Sequence, residues 1–94
     1  MKQAINIINF GDCGDARVLA DLAWEAENVG WDGFFVWDHI AWDWGAIPMV
    51  DPWIALTAIA LRTERIRIGT MVTPLPRRRP WKLARETVSL DRLS

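Results

Sequence analysis

Three short apolar runs alternate along the chain with stretches whose apolar residues recur at helical spacing, and this alternation restricts the fold more than any other feature. The runs are Ala4 to Phe10 (AINIINF), Gly33 to Trp37 (GFFVW) and Arg65 to Val72 (RIRIGTMV). The middle run is apolar throughout, which suits a strand covered on both faces in a parallel sheet. After the first run, Val18, Leu22, Ala26 and Val29 mark one face of a helix, with Leu19 and Ala23 widening the stripe. Asp15 is placed to cap this helix, and Gly30 to end it in the left-handed conformation.

Asp51-Pro52 opens a second helix, a capping carboxylate followed by proline at the first helical position. Trp53 to Leu61 forms its apolar body, and Arg62 and Arg65 suit its negative end. The third run alternates arginine with isoleucine before turning apolar, so its first half reads as rim-exposed and its second as buried. Pro74, Pro76 and Arg77 to Arg79 end it. Pro80 then reopens a helix with Ala84, Thr87, Val88 and Asp91 on one face and Leu83, Leu90 and Leu93 beside it. The order strand, helix, strand, helix, strand, helix is an α/β pattern in which each helix is long enough for a right-handed crossover between parallel strands. Residues 1–94 read as one piece with no internal boundary.

A chain of 94 residues with 51% hydrophobic residues and a mean hydropathy of +0.03 lies at the apolar end for a soluble protein. A domain of this size buries roughly 60 to 65% of its unfolded surface, so apolar area is left for something else to cover. Three parallel strands with helices on one side also leave a bare sheet face and two unpaired edges. The expectation is an incomplete barrel that self-associates or is completed by another chain. A net charge of −1 and a pI near 5.7 give no general pull toward nucleic acid or an anionic membrane. Cys13 is the only cysteine, which excludes an intrachain disulfide and a cysteine zinc cluster and fits the cytoplasm. No metal site is read from the sequence. Met1 to Phe10 is too short for a signal segment or a membrane span.

In βα folds of this kind the chemistry sits at the carboxyl ends of the strands, so the candidate segments are Gly11 to Gly14, Trp37 to Trp44 and Thr70 to Pro76. His39, the single histidine, lies just beyond the second strand, and imidazole is the side chain that exchanges protons near neutral pH. The plain alternative is an exposed loop histidine. Asp38 is placed to orient His39 or to accept a hydrogen bond, or simply to cap the loop. Trp37, Trp42 and Trp44 offer an aromatic wall, whereas Trp24, Trp31, Trp53 and Trp81 read as packing residues. Gly11 to Gly14 lacks a dinucleotide fingerprint and reads as a flexible rim loop. Arg77 to Arg79 reads as a solvated loop, with a contact to a cofactor tail or phosphate as the alternative.

The segments ADLAWEAENVGWDGFFVWDHI, DPWIALTAIALRTERIRIGTMVTPL and RRPWKLARETVSLDRLS together resemble the first three βα units of the luciferase-like monooxygenase superfamily. That family comprises flavin-dependent monooxygenases and deazaflavin-dependent dehydrogenases and reductases built on a TIM (β/α)8 barrel. The resemblance implies an oxidoreductase using FMN or the deazaflavin coenzyme F420, present here as an N-terminal fragment, with a small-molecule substrate in the complete enzyme. It implies a catalytic role for His39, cofactor contacts from Asp38, Met71, Val72 and Thr73, and a cis peptide between Met71 and Val72. A fragment of this kind is not expected to hold either cofactor tightly. The alternative is a catalytically silent barrel piece serving as an assembly or interaction module. Deazaflavin-dependent sugar-phosphate dehydrogenases carry a catalytic tryptophan shortly after the histidine, where this chain has Asp43 between Trp42 and Trp44. The substrate class is therefore open.

Overall fold

A computed structural model of the chain describes residues 1–39 and 47–94. The sheet has three parallel strands in the order β1 (Ala4–Ile7), β2 (Gly33–Val36), β3 (Arg67–Thr70), joined by α1 (Ala16–Asn28) and α2 (Pro52–Arg62) and followed by α3 (Pro80–Leu93). Each strand is shorter than its apolar run. Beyond β1, Phe10 pairs antiparallel with Met49, and β3 begins only at Arg67, because the N–H groups of Arg65 and Ile66 are taken by Glu27.

Register sets the two faces of the sheet. Ile5, Phe34 and Ile68 lie side by side, and Ile7, Val36 and Thr70 form the next row. These rows face the helices, where Phe34 and Val36 are fully enclosed with Leu19, Ala23, Leu56 and Ile59. The other face carries Ala4, Asn6 and Arg67, all exposed. Phe35 also lies on that face, its ring resting against Gly33 and Gly69. A Cβ added at those glycines would come within 2.9 Å and 3.2 Å of the ring.

The caps fall where the sequence placed them. Asp15 accepts a hydrogen bond from Arg17 N, and Asp51 accepts from Trp53 N and Ile54 N ahead of Pro52. At the end of α1, Gly30 has φ of +97° and donates to Glu27 O while Trp31 donates to Ala26 O, a Schellman closure that favours glycine. The buried stripe of α1 differs from the expected one. Val18 and Val29 are exposed, and the face turned inward is Leu19, Ala20, Ala23, Ala26 and Glu27. Three alanines on that face let the helix approach the sheet and α2 closely, which the larger valines would prevent.

Two further expectations change. Arg65 lies beyond the end of α2 and does not serve its negative end. On α3 no residue is fully buried, and it is Leu83, Glu86 and Leu90 that turn inward, not the Ala84, Thr87, Val88 and Asp91 face. No helix among the described residues is long and apolar enough to cross a membrane.

Candidate functional site

Because all three strands run parallel, the segments that follow them meet at one end of the sheet. Asn9 follows β1, Asp38 and His39 follow β2, and Met71 to Thr73 follow β3. The ladder extends slightly past the strands, with Trp37 N donating to Ile7 O at 3.2 Å and Met71 N to Val36 O at 2.9 Å. These bonds fix the exits of the three strands against one another.

Around His39 each neighbour is held by a specific contact. Asn9 is fully buried, and its Nδ2 donates to His39 O at 2.9 Å and to Val50 O at 2.8 Å. One amide thus ties the exit of β1 to the exit of β2 and to the approach of α2. The His39 ring lies 5.2 Å from that of Trp37, which meets Phe10 edge-on at 5.8 Å. On its other side Asp38 has a fully enclosed side chain. Its Oδ1 accepts from Arg77 Nη2 at 2.5 Å and also from Arg78 Nη2, and its backbone carbonyl accepts from Arg77 Nη2 at 2.6 Å. Arg78 also sits over the Trp53 ring at 5.9 Å. The reading of Arg77 to Arg79 as a solvated loop holds for Arg79 and changes for Arg77 and Arg78, whose guanidinium groups bind Asp38. Arg77 and Arg78 are drawn inward because a carboxylate without water needs opposite charge beside it.

Among the described residues, Asn6, Trp37, Asp38, His39, Met71, Val72, Pro74 and Arg77 line an open recess of about 440 Å³. The peptide between Met71 and Val72 is cis, as the resemblance implied. Of the candidates from the sequence, Asp38, His39, Met71 and Val72 therefore converge on one recess. Thr73 does not. Its hydroxyl pairs with that of Thr70, and it lines a separate hollow with Trp53 and Leu90. Trp42, Asp43 and Trp44 lie outside the described residues.

Within Gly11 to Gly14, read from sequence as a flexible loop, Gly11 to Cys13 forms a 3-10 turn pinned by Gly11 N to Pro48 O at 2.8 Å. Three residues at this end have structural roles that the sequence reading did not assign, Asn9, Arg77 and Arg78. Their only sequence signal is a polar residue interrupting an apolar run and a charge cluster directly after a strand. At the opposite end of the sheet, Glu27 accepts from the N–H groups of Glu64, Arg65 and Ile66 at 3.0, 2.6 and 2.8 Å. Burial alone would push this carboxyl up, but the three backbone donors and the nearby Arg65 charge outweigh it and hold the group below its ordinary value.

The profile of the luciferase-like monooxygenase family matches residues 7–94, and the chain belongs to that family. It is 41% identical over 76 residues to an F420-dependent glucose-6-phosphate dehydrogenase of Nakamurella multipartita, a match covering 77% of this chain and 22% of that protein. Its identity to a 4-hydroxyprotoasukamycin monooxygenase of Streptomyces nodosus subsp. asukaensis is 35% over 74 residues, covering 79% and 19%. An F420-dependent glucose-6-phosphate dehydrogenase of Amycolatopsis mediterranei is 38% identical over 82 residues, covering 83% and 24%. The chain thus spans about a fifth of the length of these relatives.

Proposed function

We propose that this chain forms the first three βα units of an eight-unit barrel oxidoreductase, and that the His39 recess receives the ring of a deazaflavin or flavin. The observation that carries this reading is the convergence of His39, Trp37, Met71 and Val72 on one recess at the carboxyl end of a parallel sheet. The recess fits a planar ring in kind. Its volume of about 440 Å³ lies within the range of small-molecule sites, and it combines apolar and aromatic walls with a few polar groups. Two of the relatives are named as F420-dependent, which makes a deazaflavin the first candidate and FMN the second.

When bound, such a ring supplies hydride transfer, and the protein contributes position and proton handling. Trp37, Met71 and Val72 would form the apolar surround of the ring. His39, held through its carbonyl by Asn9, would give or take the proton that accompanies substrate oxidation or reduction. In an active assembly containing this chain, His39→Ala is expected to lower turnover about a hundredfold or more while leaving cofactor affinity nearly unchanged. Cofactor binding and steady-state rate on the same variant check this. Equal losses in both would make His39 a cofactor-holding residue, and no loss would remove it from the site.

A further inference from the structure

Among the described residues, charge is not balanced at the recess. Asp38 offers one carboxylate to two guanidinium groups, so the cluster keeps one positive charge. The segment after β3 adds to it, because Met71 to Arg85 contains five cations and no acid. The surplus charge is also presented to the recess. Arg78 is withdrawn over Trp53, with its side chain 16% exposed, whereas Arg77 lines the recess with its side chain 33% exposed. A guanidinium carries five N–H donors, and the bonds from Arg77 to Asp38 use only Nη2. The Asp38 contacts fix the plane of the group, and its Nε and Nη1 donors remain for a ligand.

We propose that Arg77 is an oxyanion-binding residue of the recess, so that the molecule processed beside His39 carries a carboxylate or a phosphate group. This rests on the reading of the recess as the reaction site and names the substrate class for it. With Nη2 taken by Asp38, N–H donors remain at Nε and Nη1, and either can make a charge-assisted hydrogen bond to a carboxylate or phosphate oxygen. Placement within the lining that holds His39 would orient the anionic end of the substrate and leave the remainder to meet the histidine.

The test is a titration of the chain with inorganic phosphate and, separately, with acetate, followed by the Arg77 Nε–Hε resonance. Saturable displacement of that resonance is expected. The tighter of the two anions assigns the group as phosphate or carboxylate. Arg77→Gln should weaken binding about ten- to a hundredfold, the range for hydrogen bonds to charged groups. Arg79→Gln removes the same charge from an exposed neighbour and should leave binding unchanged. Arg77→Lys keeps the charge and should retain binding within about tenfold. If Arg77→Gln does not fold, the wild-type titration and the Lys variant still decide. No displacement with either anion, or equal weakening by the Arg77 and Arg79 variants, would overturn the proposal. Riboflavin, a ring without phosphate, separates this from the cofactor reading. Phosphate binding without riboflavin binding would reject the ring site and keep the anion site, and the reverse would do the opposite.

Discussion

Asp38 sits fully enclosed between two arginines, and the charge it neutralises sets what its removal does. Replacing it with asparagine leaves two guanidinium groups together with no counter-charge, a change that costs about 3 kcal/mol when a buried pair is broken from one side. Asp38→Asn is therefore expected to lower the denaturation midpoint clearly, and urea or thermal melts would show it. An unchanged midpoint would mean that water already compensates the arginines. At this scale the sequence singled out the candidate proton-handling group but not its supports. His39 was legible because it is the single histidine and follows an apolar run. The clamp was not, since Asp38 lies 39 and 40 residues from the arginines it binds, and a run of three arginines looks solvated when read locally. Asn9 was hidden for the same reason, with partners 30 and 41 residues away.

Among the elements, the junction between α1 and β3 depends on one side chain. Glu27 supplies the acceptor for three backbone N–H groups at the turn leading into β3. Glu27→Ala leaves these donors without their acceptor, and a loss of about 2 to 4 kcal/mol is expected. Stability should also depend on pH in a defined direction. The folded protein holds Glu27 below its ordinary value of 4.5, so the unfolded chain takes up the proton more readily. The contribution is complete above that value and is lost as pH falls below it toward the folded value. Melts across the acid range on wild type and Glu27→Gln check this. The wild type should lose more stability on acidification, and parallel pH profiles would contradict it. Helix starts were easy to read because Asp15 and the Asp51-Pro52 pair act locally. The inward face of α1 was not, since the valine stripe and the alanine stripe lie side by side and only contact with the sheet and α2 chooses between them. Glu27 likewise reads as a solvated helix residue until β3 supplies its donors.

For the whole molecule, the parallel β1-β2-β3 sheet was foreseen because helical stretches separate every apolar run, and hairpins cannot be built from that order. What local pattern could not show is how the ends meet, because the recess is assembled from segments that follow three different strands. One sheet face carries exposed Ala4, Asn6 and Arg67 around Phe35, and β1 and β3 are edges of the described sheet. On its own this 94-residue chain is expected to self-associate, with sizing and melting that change with concentration. A sharp, concentration-independent melt from a monomer would show that the three units close their own core. The recess beside His39 is proposed to seat a deazaflavin or flavin ring. Titrating oxidised F420 into the chain while following backbone amide resonances tests it most directly. Saturable shifts concentrated at Val36 to His39 and Thr70 to Val72 are predicted, and shifts absent from these residues, or confined to the α2–α3 groove around Lys82, Arg85 and Leu93, would contradict it.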